Sequence, residues 1–409
     1  MTTRRHSTAL VMGIVAAMAV PAVGEEPRWF APDPPGLPPY TLPDPLVAAD
    51  GTRVTAPEQW WSSRRAEVLE LFRQHVFGRV PAAVTGAVWR VVEERDPTPA
   101  RAAKWRRIEF TARRGDRSVV FHASVFTPTG APPAPAIVMI ANRTNEILSA
   151  DRPTEADFWP VDTILSRGYA TAAFMVREVD PDRPDGRPRG VRGLWDDDAD
   201  QPDDWGTLSA WAWGASRVAD ALCRLPEVDG TRLAVAGHSR GGKTALWAAA
   251  QDERFGLACV NNSGCGGANI LRRRFPGRET VEIINRGFPH WFNARFKTYA
   301  NRENELPVDH HMLIALVAPR WVHVGSAEED IWADPRGEFL GLVHASPVYQ
   351  LLGRRGLGTD EMPPIGRPLR GDGLAYHIRA GRHNLMLEDW LAYLDTADAA
   401  FGRRRAAGR

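Results

Sequence analysis

The sequence has little cysteine and almost no net charge. Only three of its 409 residues are cysteines, Cys223, Cys259 and Cys265, and this odd count is not that of a disulfide framework. Cys223 and Cys259 lie in apolar surroundings, so we expect both to be buried thiols. Lys and Arg total 51 against 50 Asp and Glu, a formal net charge of +1. That balance does not favour a general polyanion binder, and we expect no nucleic-acid partner.

Long apolar runs are also scarce. The stretch at 9–20 is too short to span a bilayer, and it lies between the basic Arg4 and Arg5 and small residues at 22–24. This pattern predicts an export signal over residues 1–24, cleaved before Glu25, and a secreted or periplasmic mature protein without membrane attachment. An uncleaved N-terminal anchor is the alternative.

No His/Cys cluster has metal-ligand spacing. His310 and His311 are adjacent and cannot face one site from a helix, so we interpret both as structural. We expect no metal and no other cofactor, and we expect a monomer.

Strand and helix patterns alternate through the rest of the chain. Strands are predicted at 87–92, 105–111, 119–126, 136–141, 169–176, 233–236, 257–261, 321–325 and 375–380, and helices at 60–77, 159–167, 209–225 and 244–250. The first three strands predict an antiparallel start, and the alternation after Pro135 favours a mostly parallel sheet with helices on both faces. Residues 25–409 would then form one α/β domain. The stretch at 177–204, rich in Asp, Arg, Pro and Gly, predicts a surface excursion that buries no core.

The most informative motif is Gly237-His238-Ser239-Arg240-Gly241, between a predicted strand and a predicted helix. A serine on such a tight turn is lifted above the sheet, and small neighbours prevent steric clash. This context predicts a nucleophilic serine, Ser239, and an α/β-hydrolase fold. The alternative is an ordinary glycine-rich turn.

The motif continues through Gly242 to Lys243 and resembles the G-C-S-R-N-G-K motif of the glucuronoyl esterases, a family of α/β-hydrolase carbohydrate esterases. The resemblance extends over most of the chain from about Pro43. It implies an esterase for 4-O-methyl-glucuronate esters.

A serine nucleophile needs a base and an acid that orients it, in the order serine, acid, histidine for this fold. His383 follows the last predicted strand and is our predicted base, whereas His377 lies inside that strand. Asp330 is the predicted acid, with Glu329 in reserve, because both follow the strand at 321–325. A solvated acidic turn is the alternative for these carboxylates.

The chain departs from the fungal members of the family at two places. Asn262 stands where they carry a glutamate, and an asparagine cannot hold a negative charge beside an imidazolium. Their disulfide joins a cysteine before the serine to one beside the histidine, where this chain has His238 and Arg382.

Arg240 follows the nucleophile, so its backbone N–H can face an oxyanion, and the resemblance implies that its side chain helps. The loop at 142–145 is a candidate for the second donor, with a simple polar loop as the alternative. By resemblance Lys243, Glu279 and Trp332 contact the glucuronate. Lys243 would offer a mobile cation with three donors. An exposed helix carboxylate is the alternative for Glu279, and core packing for Trp332.

The expected reaction is hydrolysis of the ester between 4-O-methyl-D-glucuronic acid of glucuronoxylan and a lignin alcohol. One alternative is an acetyl xylan or other carbohydrate esterase with the same three catalytic residues. A different class is a non-catalytic glycan-binding protein on a hydrolase scaffold, against which the intact Ser239, His383 and Asp330 set argues.

Overall fold

The computed structural model describes residues 37–84, 86–98, 101–130, 132–143, 148–151, 157–195 and 201–403. The predicted export signal and the second half of the loop at 142–145 lie outside these residues.

Within that part of the chain the strands are β1 (Val88–Arg95), β2 (Ala103–Arg114), β3 (Arg117–Pro128), β4 (Ala134–Ala141), β5 (Ala170–Met175), β6 (Val228–His238), β7 (Phe255–Asn261), β8 (Trp321–Ala327), β9 (Leu369–Arg370) and β10 (Leu374–Arg379). The helices are α1 (Pro57–Gln59), α2 (Arg65–Phe72), α3 (Val161–Ser166), α4 (Val176–Val179), α5 (Val191–Leu194), α6 (Thr207–Leu222), α7 (Arg240–Gln251), α8 (Val281–Gly287), α9 (Ala294–Lys297), α10 (His310–Ala315), α11 (Pro335–Leu351) and α12 (Leu387–Ala400). Shorter turns are π-helical at Trp60–Arg64 and Arg73–Phe77 and 3₁₀ at Arg187–Arg189, Glu303–Glu305 and Ile331–Ala333.

The described strands form one sheet in the order β1-β2-β3-β5-β4-β6-β7-β8-β10-β9. In the sheet, β1, β2, β3 and β5 pair antiparallel with one another in that order. The neighbours β5, β4, β6, β7, β8 and β10 are all parallel. Strand β9 pairs antiparallel with β10 at the edge. The predicted mostly parallel sheet with an antiparallel start is confirmed. Because β6, β8 and β10 run in the same direction, their carboxyl ends meet at one edge.

The central strands are buried on both faces. In β4, Val138 and Ile140 belong to one apolar cluster, whereas Ile137 and Met139 belong to the other. Alternate side chains of a strand point to opposite faces, so each face needs its own cover. Helices α6 and α7 supply one cluster and α3 and α12 the other, which confirms the predicted helices on both faces.

The prediction that residues 177–204 bury no core is wrong. Val191 and Leu194 join the main apolar cluster. Asp180 is fully buried and accepts hydrogen bonds from Arg192, at 3.1 Å from Nε and 2.9 Å from NH2. Paired opposite charges let this polar segment pack against the body of the protein.

The thiols also differ in part from expectation. Cys259 is buried as predicted, and so is Cys265, but Cys223 is exposed. Cys223 caps the C-terminal end of α6, one residue beyond the buried Leu222, where the chain leaves the core. Every described helix falls short of the length and apolar character that a membrane crossing requires.

Candidate active site

Ser239 lies on the turn between β6 and α7 with φ 58° and ψ −122°. This backbone conformation is unfavourable for a residue with a side chain, and it is typical of a serine held for chemistry. The two motif glycines make the turn possible, because a Cβ at Gly237 would collide with the carbonyl group of Gly241 and a Cβ at Gly241 would lie 2.9 Å from the carbonyl oxygen of Ile140. The sequence therefore produces the predicted strand-to-helix turn.

Ser239 also occupies the position before the first turn of α7. Its carbonyl oxygen accepts the N–H of Lys243 at 3.0 Å, which begins the helix. The N–H groups of a first helical turn have no acceptor within the helix, and the helix dipole favours negative charge there. The backbone N–H of Arg240 lies in this first turn, and its role as an oxyanion donor stays a prediction.

His383 and Asp330 meet at the same edge of the sheet. The distance between His383 Nδ1 and Asp330 Oδ2 is 2.6 Å. A carboxylate can only accept, so Nδ1–H donates and Nε2 is left as an acceptor, which is the form that a general base requires. The Asp330 side chain is 4% exposed and that of His383 is 40% exposed.

The neighbouring carboxylate points elsewhere. Glu329 Oε2 lies 3.2 Å from Arg382 Nε, and both side chains are largely exposed. The structure brings Asp330, not Glu329, to His383. Asn262 completes this corner, since its Nδ2 donates to Asp330 Oδ2 at 3.1 Å.

His377 forms a second histidine–carboxylate pair that lies in the interior. Its Nε2 is 2.8 Å from Asp389 Oδ1, and both residues are buried. The interpretation of His377 as a strand residue rather than the base agrees with this position.

His238 is a buried neighbour of His383. The two ring centroids are 4.5 Å apart, and His238 Nδ1 lies 2.7 Å from Asn261 Oδ1. Burial, helped by the proximity of His383, lowers the pKa of His238 to about 3. His238 is therefore a neutral ring packed against the predicted base.

The Arg240 guanidinium is held on several sides. It pairs with Asp182, and its centre lies 5.2 Å from the ring centroid of Phe288 and 4.9 Å from that of Trp291. Asp182 also accepts hydrogen bonds from His290 Nε2 at 2.9 Å and Trp291 Nε1 at 2.8 Å. Burial alone would raise the pKa of Asp182, but the His290 hydrogen bond and the Arg240 charge hold it below its usual value. Sequence reasoning missed Asp182, because nothing distinguishes it within the acidic stretch at 177–204.

Lys243 is fixed, so its interpretation as a mobile cation is wrong. Its Nζ donates to the carbonyl oxygens of Ser263 and Cys265, both at 2.6 Å, and to Glu279 Oε2 at 2.9 Å. An ammonium group has three protons, and these acceptors use all of them. Lys243 is buried, and burial of a charge requires such partners.

Glu279 and Trp332 are adjacent in the structure. Glu279 is buried rather than an exposed helix carboxylate, and its backbone N–H donates to the Trp332 carbonyl oxygen at 2.9 Å. The Trp332 side chain is exposed rather than packed in the core. It lies two residues after Asp330, so the turn that supplies the predicted acid also presents an aromatic ring to solvent.

Two further predictions concern metals and the second oxyanion donor. His310 Nδ1 lies 2.7 Å from the carbonyl oxygen of Gly267, and His311 Nε2 lies 2.9 Å from that of Pro43, so both histidines are structural. The described residues contain no group of three or more His, Cys, Asp or Glu that could hold a metal ion.

The described part of the candidate oxyanion loop contacts the serine turn, because Asn142 Nδ2 donates to the His238 carbonyl oxygen at 3.2 Å.

Known proteins match the chain over most of its length. A family model described as "Glucuronyl esterase, fungi" matches residues 110–353. A carbohydrate esterase from an unknown prokaryotic organism is 37% identical, covering 92% of this chain and 94% of that protein. The 4-O-methyl-glucuronoyl methylesterase of Podospora anserina is 30% identical, covering 79% of this chain and 64% of that protein.

A solved structure agrees as well. The glucuronoyl esterase from Solibacter usitatus superposes with a TM-score of 0.84 and 38% identity, covering 90% of this chain and 100% of that chain. The predicted α/β-hydrolase fold is thereby confirmed. The chain belongs to the glucuronyl esterase family of carboxylic ester hydrolases.

Proposed function

We propose that this chain cleaves the ester between 4-O-methyl-D-glucuronic acid of glucuronoxylan and a lignin alcohol through a serine acyl-enzyme. The observation that carries the mechanism is the 2.6 Å contact between His383 and Asp330 at the sheet edge where Ser239 occupies its strained turn. The family membership and the glucuronoyl esterases among the relatives support the substrate.

In the proposed reaction, His383 Nε2 takes the proton of Ser239 as its Oγ attacks the uronate carbonyl. Asp330 holds the imidazole in the required tautomer and stabilises the imidazolium. The Arg240 backbone N–H and guanidinium face the oxyanion of the tetrahedral intermediate. His383 then protonates the departing alcohol, and a water molecule that it activates hydrolyses the acyl-enzyme. This acyl transfer needs no cofactor.

Glu279 and Trp332 contact the sugar of the substrate in this proposal, and Lys243 supports Glu279. Glu279 can accept hydrogen bonds from vicinal hydroxyl groups, and Trp332 offers a flat apolar face to a methoxyl group or pyranose ring. Lys243 binds Glu279 Oε2 and so supports substrate recognition through that carboxylate. These contacts form with the sugar rather than the scissile bond, so their loss should chiefly raise KM.

A substrate screen tests the proposal. Purified protein is assayed on benzyl glucuronate, acetylated xylan and a feruloyl ester, with Ser239→Ala as the control. We expect preferential cleavage of benzyl glucuronate, and loss of about 10⁴-fold or more in the variant because the nucleophile is gone. Preference for acetylated xylan would replace the uronate assignment by an acetyl esterase. Xylan binding without turnover of any ester would indicate a glycan-binding protein.

We also propose that residues 1–24 direct export and that the mature protein is a monomer. N-terminal sequencing of protein recovered from the periplasm or medium should begin at Glu25. Retention of residues 1–24 would indicate an anchor, and light scattering would reveal a larger assembly.

A further inference from the structure

The loop that carries His383 is short and turns sharply. It connects β10, which ends at Arg379, to α12, which begins at Leu387, and Gly381 adopts φ 90° within it. The His383 side chain is 40% exposed, so packing alone does not immobilise its ring. Asp330 orients the ring through Nδ1, but the place of the ring relative to Ser239 also depends on the backbone of this loop.

The Arg379 guanidinium donates hydrogen bonds to the backbone carbonyl groups on both sides of His383. Arg379 NH1 donates to the Ala380 carbonyl oxygen at 2.8 Å, and NH2 donates to those of Arg382 at 3.0 Å and Asn384 at 2.6 Å. Arg379 is buried. Carbonyl groups of a surface loop commonly face water, so their convergence on one buried cation fixes the path of the loop on both sides of His383.

Asp389 holds the guanidinium in turn. Its Oδ2 accepts from Arg379 Nε at 2.8 Å and from the Met386 backbone N–H at 2.8 Å, at the start of α12. Its Oδ1 accepts from His377 Nε2 at 2.8 Å. One carboxylate therefore connects the end of β10, the end of the loop and the beginning of α12.

The chain of contacts continues into the core. His377 Nδ1 lies 2.9 Å from His323 Nε2, and His323 Nδ1 lies 2.9 Å from Thr396 Oγ1. His377 Nε2–H donates to Asp389, and His377 Nδ1 shares one proton with His323 Nε2. Every ring nitrogen of the two histidines has a partner, so this buried network satisfies the condition for rigidity.

We propose that Arg379, braced by Asp389, is a positioning residue that sets the place of the His383 ring relative to Ser239. The inference rests on the proposed function only in taking His383 as the base and Ser239 as the nucleophile. This role requires a planar guanidinium at residue 379, because its coplanar N–H groups donate to three carbonyl groups and a carboxylate.

The diagnostic variant is Arg379→Lys, which keeps the charge but has three protons on a single nitrogen. With benzyl glucuronate we expect kcat to fall roughly 10- to 100-fold, as for displacement of a catalytic group by about 1 Å. KM should stay within about twofold, since no sugar contact is changed.

The chain contains a matched control at the opposite end of the sheet. Immediately before β8 begins, Arg320 NH1 lies within hydrogen-bond distance of three backbone carbonyl oxygens, those of Ala249, Asp252 and Phe255, which share its two protons. Arg320→Lys should lower the melting temperature as Arg379→Lys does, but leave kcat unchanged. Equal losses of kcat in both variants would show that lower overall stability, not displacement of His383, reduces kcat, and would overturn the proposal.

A second readout does not depend on the glucuronate. Sulfonylation of Ser239 by phenylmethylsulfonyl fluoride requires the base, and its rate should fall in Arg379→Lys in parallel with kcat. Wild-type protein that is sulfonylated but does not cleave benzyl glucuronate would refute the proposed substrate while this comparison still proceeds. An unchanged sulfonylation rate in Arg379→Lys would overturn the positioning role. If Arg379→Lys does not fold, Asp389→Asn replaces it, with the same expected direction and the same overturning result.

Discussion

Asp330 Oδ2 has two partners, His383 Nδ1 at 2.6 Å and Asn262 Nδ2 at 3.1 Å. The amide is a neutral donor, so it stabilises the ionised carboxylate without competing for the proton of the imidazolium. Asn262 therefore supports the predicted acid by a hydrogen bond and brings no second negative charge to this corner.

The charge of this carboxylate should be essential to the activity. Asp330→Asn should reduce kcat by about 10⁴-fold, since it removes the charge beside the imidazolium and permits the wrong tautomer. Asn262→Ala should be far milder, because the acid stays in place. The control is Glu329→Gln, an exposed neighbour, which should behave as wild type. A crippled Glu329→Gln variant beside an active Asp330→Asn variant would move the acid by one residue.

The buried Lys243–Glu279 pair should contribute to the stability of the fold. Lys243→Ala should lower the free energy of unfolding by about 3–5 kcal/mol, because it leaves a buried carboxylate and two carbonyl groups without their partner. Lys243→Met combined with Glu279→Gln should recover part of this loss, since no unpaired charge remains. Urea unfolding of the variants gives the comparison. Wild-type stability of Lys243→Ala would contradict the structural role assigned to these three hydrogen bonds.

The connection from α4 to α5 positions an acidic group beside the serine turn. Asp180 is fastened to Arg192 in the interior. Two residues further on, Asp182 pairs with Arg240 across a sequence separation of 58 residues. A segment that is polar throughout thus has one buried anchor and one residue directed at the site.

We expect Asp182→Asn to lower kcat about tenfold or more, because Arg240 loses the charged partner that orients it. The matched control is Asp185→Asn, since Asp185 is exposed and pairs with Arg183 in the same segment. Steady-state kinetics on benzyl glucuronate distinguish the two variants. An increase of kcat in Asp182→Asn would show instead that Asp182 weakens the electrostatic effect of Arg240.

The interior of the protein contains histidines that remain neutral. Burial lowers the pKa of His238 to about 3, of His310 to about 4 and of His311 to about 3. In the unfolded chain each would titrate near its ordinary value of about 6.5. Below that pH the unfolded state therefore binds more protons than the folded state.

The corresponding prediction is a loss of stability in acid. The contribution of these histidines is fully present above about pH 6.5 and is lost as the pH falls towards the folded pKa values. Over this range each of the three histidines lowers the free energy of unfolding by up to about 1.4 kcal/mol per pH unit. Urea unfolding between pH 7 and pH 4.5 measures the slope, and His311→Asn should reduce it. An unchanged slope in His311→Asn would contradict the assignment of that residue.

The chain's own sequence was sufficient for the strand, turn and helix around Ser239 and for the order serine, acid, histidine. Such features depend on neighbours within a few residues and on the direction of successive parallel strands, both of which can be read along the chain. It left Asp330 and Glu329 as alternatives, since adjacent residues on a turn differ only in the direction of their side chains.

How the charged side chains pair became visible only in the folded protein. Lys243 pairs with Glu279 across 36 residues. Val191 and Leu194 are buried although they lie in a segment whose composition predicts exposure. An arginine or lysine has many acidic and carbonyl partners within reach in an unfolded chain. Which of them it meets, and whether the pair is buried, follows from how distant strands and loops are brought together, because no local pattern of residues carries that information.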